Sequence, residues 1–222
     1  MMLRGILPAL SALLPTAGWA CDLALVLAVD VSGSVDSWEY RLQRDGMAAA
    51  LRDPAVSEAL VAARAEVMVL QWTGSGRQKV TVPWRTIDSF EGLDAFADEV
   101  AADPRIWRNF STAIGEALEK SIAQFENVPH CKRRVIDVSG DGTSNEGVEP
   151  SRLRAALRAE SITVNAIVIE SAEEDLTGYF WENVIYGDGA FVVTASDFKE
   201  YPKRIRQKLR RETTKQTAEL RR

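Results

Sequence analysis

The stretch LALVLAVDVSGSVDSWEYRLQ, Leu23–Gln43, decides the fold. Leu23–Val29 is an unbroken apolar run, the pattern of a strand covered on both faces. It ends in Asp30, Ser32 and Ser34, one carboxylate and two hydroxyls at alternate positions. Helical spacing follows from Trp38 to Leu51, with Tyr40, Met47 and Leu51 among its apolar positions, and Asp53-Pro54 ends it. A buried strand that delivers three oxygen donors to its carboxyl end and then turns into a helix opens an α/β sheet with a site at its rim.

The same alternation continues. Glu66–Trp72, Arg134–Ser139, Ile162–Ile169 and Phe191–Val193 read as strands, and Lys79–Ile87 alternates like an edge strand after the turn Thr73–Gly76. Phe90–Val100, Thr112–Phe125, Ser151–Ala159 and Leu176–Val184 read as helices, and a last helix starts near Asp197. The expectation is an α/β, three-layer, doubly wound, mostly parallel sheet flanked by helices, with one antiparallel edge strand. One domain spans residues 21–210, and residues 211–222 form a polar, basic tail.

The chain has 222 residues, 46% of them hydrophobic, enough for one domain with a sizeable core. Its formal charge of -5 makes nucleic acid a poor partner. Residues 1–20 read as a secretory signal peptide: Arg4, an apolar run from Gly5 to Leu14, then small Gly18 and Ala20 before Cys21. The expected product is secreted or periplasmic, cleaved near Ala20-Cys21, with no transmembrane segment. A lipid anchor on Cys21 fits less well, because residues 18–20 read Gly-Trp-Ala without the usual leucine.

Cys21 and Cys131 are the only cysteines. Cys21 lies nine residues before Asp30, and Cys131 lies ten before Asp141. If the strands that carry those aspartates are neighbours, both cysteines meet at the opposite end of the sheet. Parallel neighbours about 4.8 Å apart are within reach of a disulfide. One disulfide is the expectation, and two unpaired buried thiols are the alternative.

Three segments then converge on one sheet edge: Asp30-Val-Ser32-Gly-Ser34, NFSTAIGEAL with Thr112, and SGDGTSNEG with Asp141. Their candidate ligand atoms are all oxygens, which suits a hard cation such as Mg²⁺. Zinc or copper prefers histidine or thiolate. The single histidine, His130, sits beside Cys131 at the other end.

Asp-x-Ser-x-Ser after a first apolar strand, Thr-x-x-Gly-x-Ala-Leu, and Asp-Gly after a later strand together resemble the von Willebrand factor A domain. Within that family the likeness is to secreted bacterial A-like domains without an assigned function. The resemblance implies a metal-ion-dependent adhesion site. Ser32 and Ser34 then ligate through their hydroxyls, Asp30 holds the site through water and hydrogen bonds, and Thr112 and Asp141 bind directly or through water. It further implies Mg²⁺ (or Mn²⁺ or Ca²⁺), a partner protein that presents an acidic residue, and a binding module in place of an enzyme.

Plainer roles compete. Ser34 or Asp36 also serves as a helix cap, Thr112 as another, and Asp141-Gly142 as a simple turn. Asp137, about 13 Å from Asp141 along an extended strand, stays outside the site and needs a buried partner of its own. Ser144, Asn145, Glu146, Ser75, Arg77, Trp107 and Arg108 belong near the ligand face, most simply as solvated loop residues. The enzymatic rival is a haloacid dehalogenase-like, Mg-dependent phosphatase that uses Asp30 and Asp141. It places a second aspartate where Ser32 stands and leaves Thr-x-x-Gly-x-Ala-Leu unexplained. A serine hydrolase lacks both its Gly-x-Ser-x-Gly turn and a well-placed histidine. The basic tail reads as a solvated helix, with weak contact to an anionic surface as the other reading, so residues after Lys208 are expected to be dispensable for the fold.

Overall fold

The computed structural model describes residues 21–170 and 175–219, with side chains of the last helix as far as Thr213. Residues 1–20, which the sequence reads as a signal peptide, and the end of the tail lie outside the described residues. Leu23–Asp30 forms β1, and the sheet is completed by β2 (Glu66–Trp72), β3 (Gln78–Thr86), β4 (Arg133–Gly140), β5 (Ile162–Ile169) and β6 (Val192–Ala195). The order is β3-β2-β1-β4-β5-β6. Every pairing is parallel except that of β3, which runs antiparallel to β2 at the edge. The expected fold class therefore stands.

β1 is buried along its whole length, and its two faces divide the core. Leu23, Leu25, Leu27 and Val29 pack with residues of α1 (Ser37–Leu51), α2 (Pro54–Ala62), α3 (Phe90–Ala102) and α7 (Tyr201–Glu219). Ala24, Val26 and Ala28 pack with residues of α4 (Ile114–Gln124), α5 (Arg154–Ala159) and α6 (Leu176–Asn183). Alternation at period two on a strand without polar positions is what places helices on both sides.

The structure differs from the sequence reading at several boundaries. Asp53-Pro54 ends α1 but also starts α2: Asp53 accepts the amide of Ala55 at 3.2 Å, and Pro54 takes the first turn, where a missing N–H costs nothing. The segment read as one helix from Ser151 begins as a 3₁₀ turn, Pro150–Leu153. β6 starts at Val192, and α7 starts at Tyr201 after a turn in which Asp197 accepts the amide of Glu200.

The carboxyl-terminal boundary needs a larger correction. Lys208, Leu209, Glu212 and Thr213 are buried, so the packed domain runs past residue 210. Arg210 forms a forked pair with Asp53, at 2.8 and 2.6 Å, which anchors α7 to the start of α2. Asp137 finds its partner here as well. It points from β4 toward α7 and meets Lys208 Nζ at 2.5 Å.

β1 and β4 pair in register from Leu23 opposite Arg133 to Val29 opposite Ser139. Two residues earlier, Cys21 faces Cys131, and the two form a disulfide with Cα atoms 4.5 Å apart. The bond occupies the Cys21 thiol, which a lipid anchor would need. No helix among the described residues is long and apolar enough to cross a membrane.

Closing a loop of this length removes entropy from the unfolded chain, so Cys21→Ala/Cys131→Ala is expected to lose about 4–5 kcal/mol in denaturant unfolding. Truncation after Lys208 is expected to lower stability by about 3 kcal/mol or more, because buried Leu209 and Thr213 leave with it. An unchanged unfolding midpoint in the truncated chain would contradict this packing.

Candidate metal centre

The chain leaves β1 for β2 on one side, while β4 lies on the other side of β1. That reversal is the switch point at which open α/β sheets present their ligand crevice. Asp30 ends β1 there, and Asp141 follows the last residue of β4.

Asp30 is fully buried. Its Oδ1 accepts the backbone N–H of Ser32 at 2.7 Å, which bends the loop back over the carboxylate. Ser32 Oγ lies 3.1 Å from Ser34 Oγ, and Ser34 Oγ donates to Asp141 Oδ1 at 2.7 Å. Four of the five expected site residues are thus joined in one hydrogen-bonded series, through the Ser32 amide and then the two serine hydroxyls. The series starts in the core at Asp30 and reaches solvent at exposed Ser34.

The helix cap that competed for Ser34 is supplied by Asp36. Its carboxylate accepts the amides of Trp38 and Glu39, and Glu39 returns a bond to the Asp36 amide. Ser34 is left free for the rim.

Thr112 occupies a different position from the one its sequence context implies. α4 starts at Ile114 with Ala113 as its cap residue, so Thr112 is no helix cap. It is buried in the preceding extended segment, where its N–H donates to Asn145 Oδ1 and its carbonyl accepts the Asn145 N–H, each at 2.9 Å. Among the described residues, no hydrogen bond joins its hydroxyl to Asp30, Ser32, Ser34 or Asp141. Thr112 is therefore held on the neighbouring loop, beside the four.

Several loops read as solvated are structural. Asn145 pins Thr112, Ser144 Oγ accepts the Ile114 amide, and Glu146 accepts the amide of Ser75. Gly33 N–H donates to the Phe110 carbonyl at 2.8 Å, and Ala113 N–H donates to the Thr73 carbonyl, so the loops after β1, β2 and β4 are joined. Gly115 explains the spacing Thr-x-x-Gly. A Cβ there would overlap the carbonyl of Val148 in the loop that follows β4.

Sequence reasoning missed Arg105 and Gln43. Arg105 Nη2 donates to the carbonyls of Val31 and Ser32, at 3.1 and 2.8 Å, and Gln43 Nε2 donates to the Asp30 carbonyl. The segment around Arg105 is fixed in turn by Gln71, which donates to Tyr40, Asp103 and Pro104 and accepts from Ile106. Only the buried amide in β2, Gln71 between apolar neighbours, offered a signal in the sequence.

Burial first, and the Asp141 charge second, push the Asp30 carboxyl up to about 8 from its ordinary 3.8. Its Oδ2 is buried without a hydrogen-bond donor. A buried, orphaned carboxylate oxygen beside two hydroxyls and a second carboxylate is a donor set that fits a hard divalent cation. At the far end of the sheet, Cys21, His130 and Cys131 also lie together, but both sulfurs belong to the disulfide and provide no thiolate.

Because folding raises the Asp30 value, the metal-free folded state binds that proton more tightly than the unfolded chain does. Stability from this group is present at low pH and falls as pH rises from about 4 to about 8. Asp30→Asn is expected to flatten that decline in denaturant unfolding with EDTA present. Gly115→Ala is expected to cost about 1–3 kcal/mol by pressing on the loop after β4.

A family model described as "Protein of unknown function (DUF1194)" matches residues 20–217. No curated protein matches the chain at a significant level. Among solved structures, the fold is similar to proximal thread matrix protein 1 from the mussel byssus, with TM-score 0.66, 18% identity, and coverage of 86% of this chain and 47% of that one. A structure of that mussel protein with a zinc-occupied MIDAS motif gives TM-score 0.63 and 19% identity over 87% of this chain and 46% of the other. The von Willebrand factor type A protein from Catenulispora acidiphila gives TM-score 0.59 and 18% identity over 89% and 43%. The chain spans less than half the length of each. What it shares with them is the fold, a von Willebrand factor A-like sheet with its switch point between β1 and β4. By the match over residues 20–217, the chain belongs to the DUF1194 family.

Proposed function

We propose that the protein is a secreted, metal-dependent protein-binding module that captures an acidic side chain of a partner. The observation that carries this reading is the hydrogen-bonded series Asp30–Ser32–Ser34–Asp141 at the switch point, closed below and open at Ser34. Ser32 and Ser34 would hold the cation through hydroxyls, and Asp141 through its carboxylate. Asp30 would steady the loop from beneath, and Thr112 would complete the set from its own loop. A divalent cation, Mg²⁺ or alternatively Mn²⁺ or Ca²⁺, supplies Lewis acidity toward an incoming carboxylate. The zinc-occupied MIDAS of the mussel protein, which has a similar fold, supports a cation at this place.

This chain's own residues shape the site for binding. Neutral hydroxyls supply two of the donors, so the charge on a bound cation stays only partly offset. Arg105, donating to the Val31 and Ser32 carbonyls, keeps the loop in a fixed arc. The phosphatase alternative requires Asp30 to attack substrate. Asp30 is buried, and the residue two positions on is Ser32, which offers no general acid.

Calorimetric titration of Mg²⁺ and Mn²⁺ into metal-free protein is expected to show one-to-one binding that Ser32→Ala/Ser34→Ala abolishes. At a hundredfold excess over Kd, bound metal is expected to raise the unfolding free energy by about 2.7 kcal/mol in the wild type alone. Equal binding in the double variant would overturn the reading. So would Mg-dependent turnover of a phosphomonoester that disappears in Asp30→Asn.

A further inference from the structure

A second cluster of reactive groups lies away from the rim, between β4 and α7. Lys208 Nζ sits 2.5 Å from Asp137 Oδ1 and 2.8 Å from Glu212 Oε1. The exposures are 0% for Lys208 and 2% for each carboxylate. Asn165 Nδ2 donates to the same Glu212 oxygen at 2.8 Å, and the Phe191 ring lies 5.7 Å from the Lys208 nitrogen. Neither oxygen of Asp137 takes a hydrogen bond from an amide or hydroxyl among the described residues, so the lysine is its partner.

We propose that Lys208 and Asp137 join in an intramolecular isopeptide bond, with Glu212 carrying the proton. Two carboxyl groups share one amine in a pocket closed to water. Burial, and the Glu212 charge, push the Asp137 carboxyl up to about 7 despite the opposing pull of Lys208, so its protonated form is accessible near neutral pH. Lys208 passes one proton to Glu212 across the 2.8 Å contact. The neutral amine then attacks Cγ of protonated Asp137. The new C–N bond forms, the C–OH bond breaks, and the second amine proton leaves with the hydroxyl as water. Glu212 ends protonated, and no oxidant or cofactor is needed. Fixed contact between amine and carboxyl supplies the proximity that makes such condensation fast within a fold. The product replaces a buried ion pair, costly to desolvate, with a neutral amide. It would tie the sheet to α7 covalently, as the disulfide ties β4 to β1.

Mass spectrometry of the purified, reduced and alkylated protein tests this directly. The expected result is a mass about 18 Da below that calculated for the same alkylated chain without the cross-link, the loss of one water on attack by the lysine amine. Trypsin should release residues 135–152 joined to residues 207–210, with cleavage after Lys208 blocked. Lys208→Arg and Asp137→Ala should each restore the full mass. Glu212→Gln should slow cross-linking at least about tenfold, as for loss of a proton carrier. Wild-type protein at full mass, with Lys208 cleaved normally, would overturn the proposal. Cross-linking of Glu212→Gln at the wild-type rate would overturn the role given to Glu212.

Discussion

β1 and β4 lie side by side in parallel, and each residue faces one 110 positions later. Most of the structure hangs on that register. At the amino ends it brings Cys21 against Cys131. At the carboxyl ends it brings Asp30 beside the loop that carries Asp141. In the middle it sets the faces of β4, so that Val135 and Asp137 look toward α7 while Ile136 and Val138 look toward the α4 layer. A shift by one residue would turn Asp137 to the wrong layer and part the cysteines.

The site itself is built against a stability gradient. A buried carboxylate, a second carboxylate whose charge acts on it, and an oxygen without a donor are unfavourable alone. The fold tolerates them because the surrounding backbone is tightly held. Arg105, Gln43, Trp72 and Phe110 each fix part of the loop after β1. A cation placed among the four oxygens would turn the same unfavourable cluster into a favourable one, which is how a rigid platform and a reactive rim coexist.

Much of this was legible in the sequence. The unbroken apolar run Leu23–Val29 marks a central strand, and the oxygen residues that follow mark its ligand end. The strands Glu66–Trp72 and Ile162–Ile169 have their observed limits, since apolar runs end sharply at polar or turn residues. Other features were hidden. α2 was lost because Asp-Pro reads as a stop, although the same pair caps a new helix. Thr112 was read as opening its helix, whereas α4 starts at Ile114 and backbone bonds to Asn145 hold Thr112 in the segment before it. The tail looked solvated because α7 carries many charges. Its burial comes from Leu209 and Thr213 and from a lysine sunk between two carboxylates, a pattern that spacing alone does not distinguish from a surface ion pair.

The central claim is that Ser32, Ser34 and Asp141 converge on one cation. Anomalous diffraction from crystals grown with Mn²⁺ tests it most directly. The account predicts a single strong peak in contact with the hydroxyls of Ser32 and Ser34 and with the carboxylate of Asp141. Well-ordered crystals with no peak there, or with manganese bound only elsewhere, would contradict it.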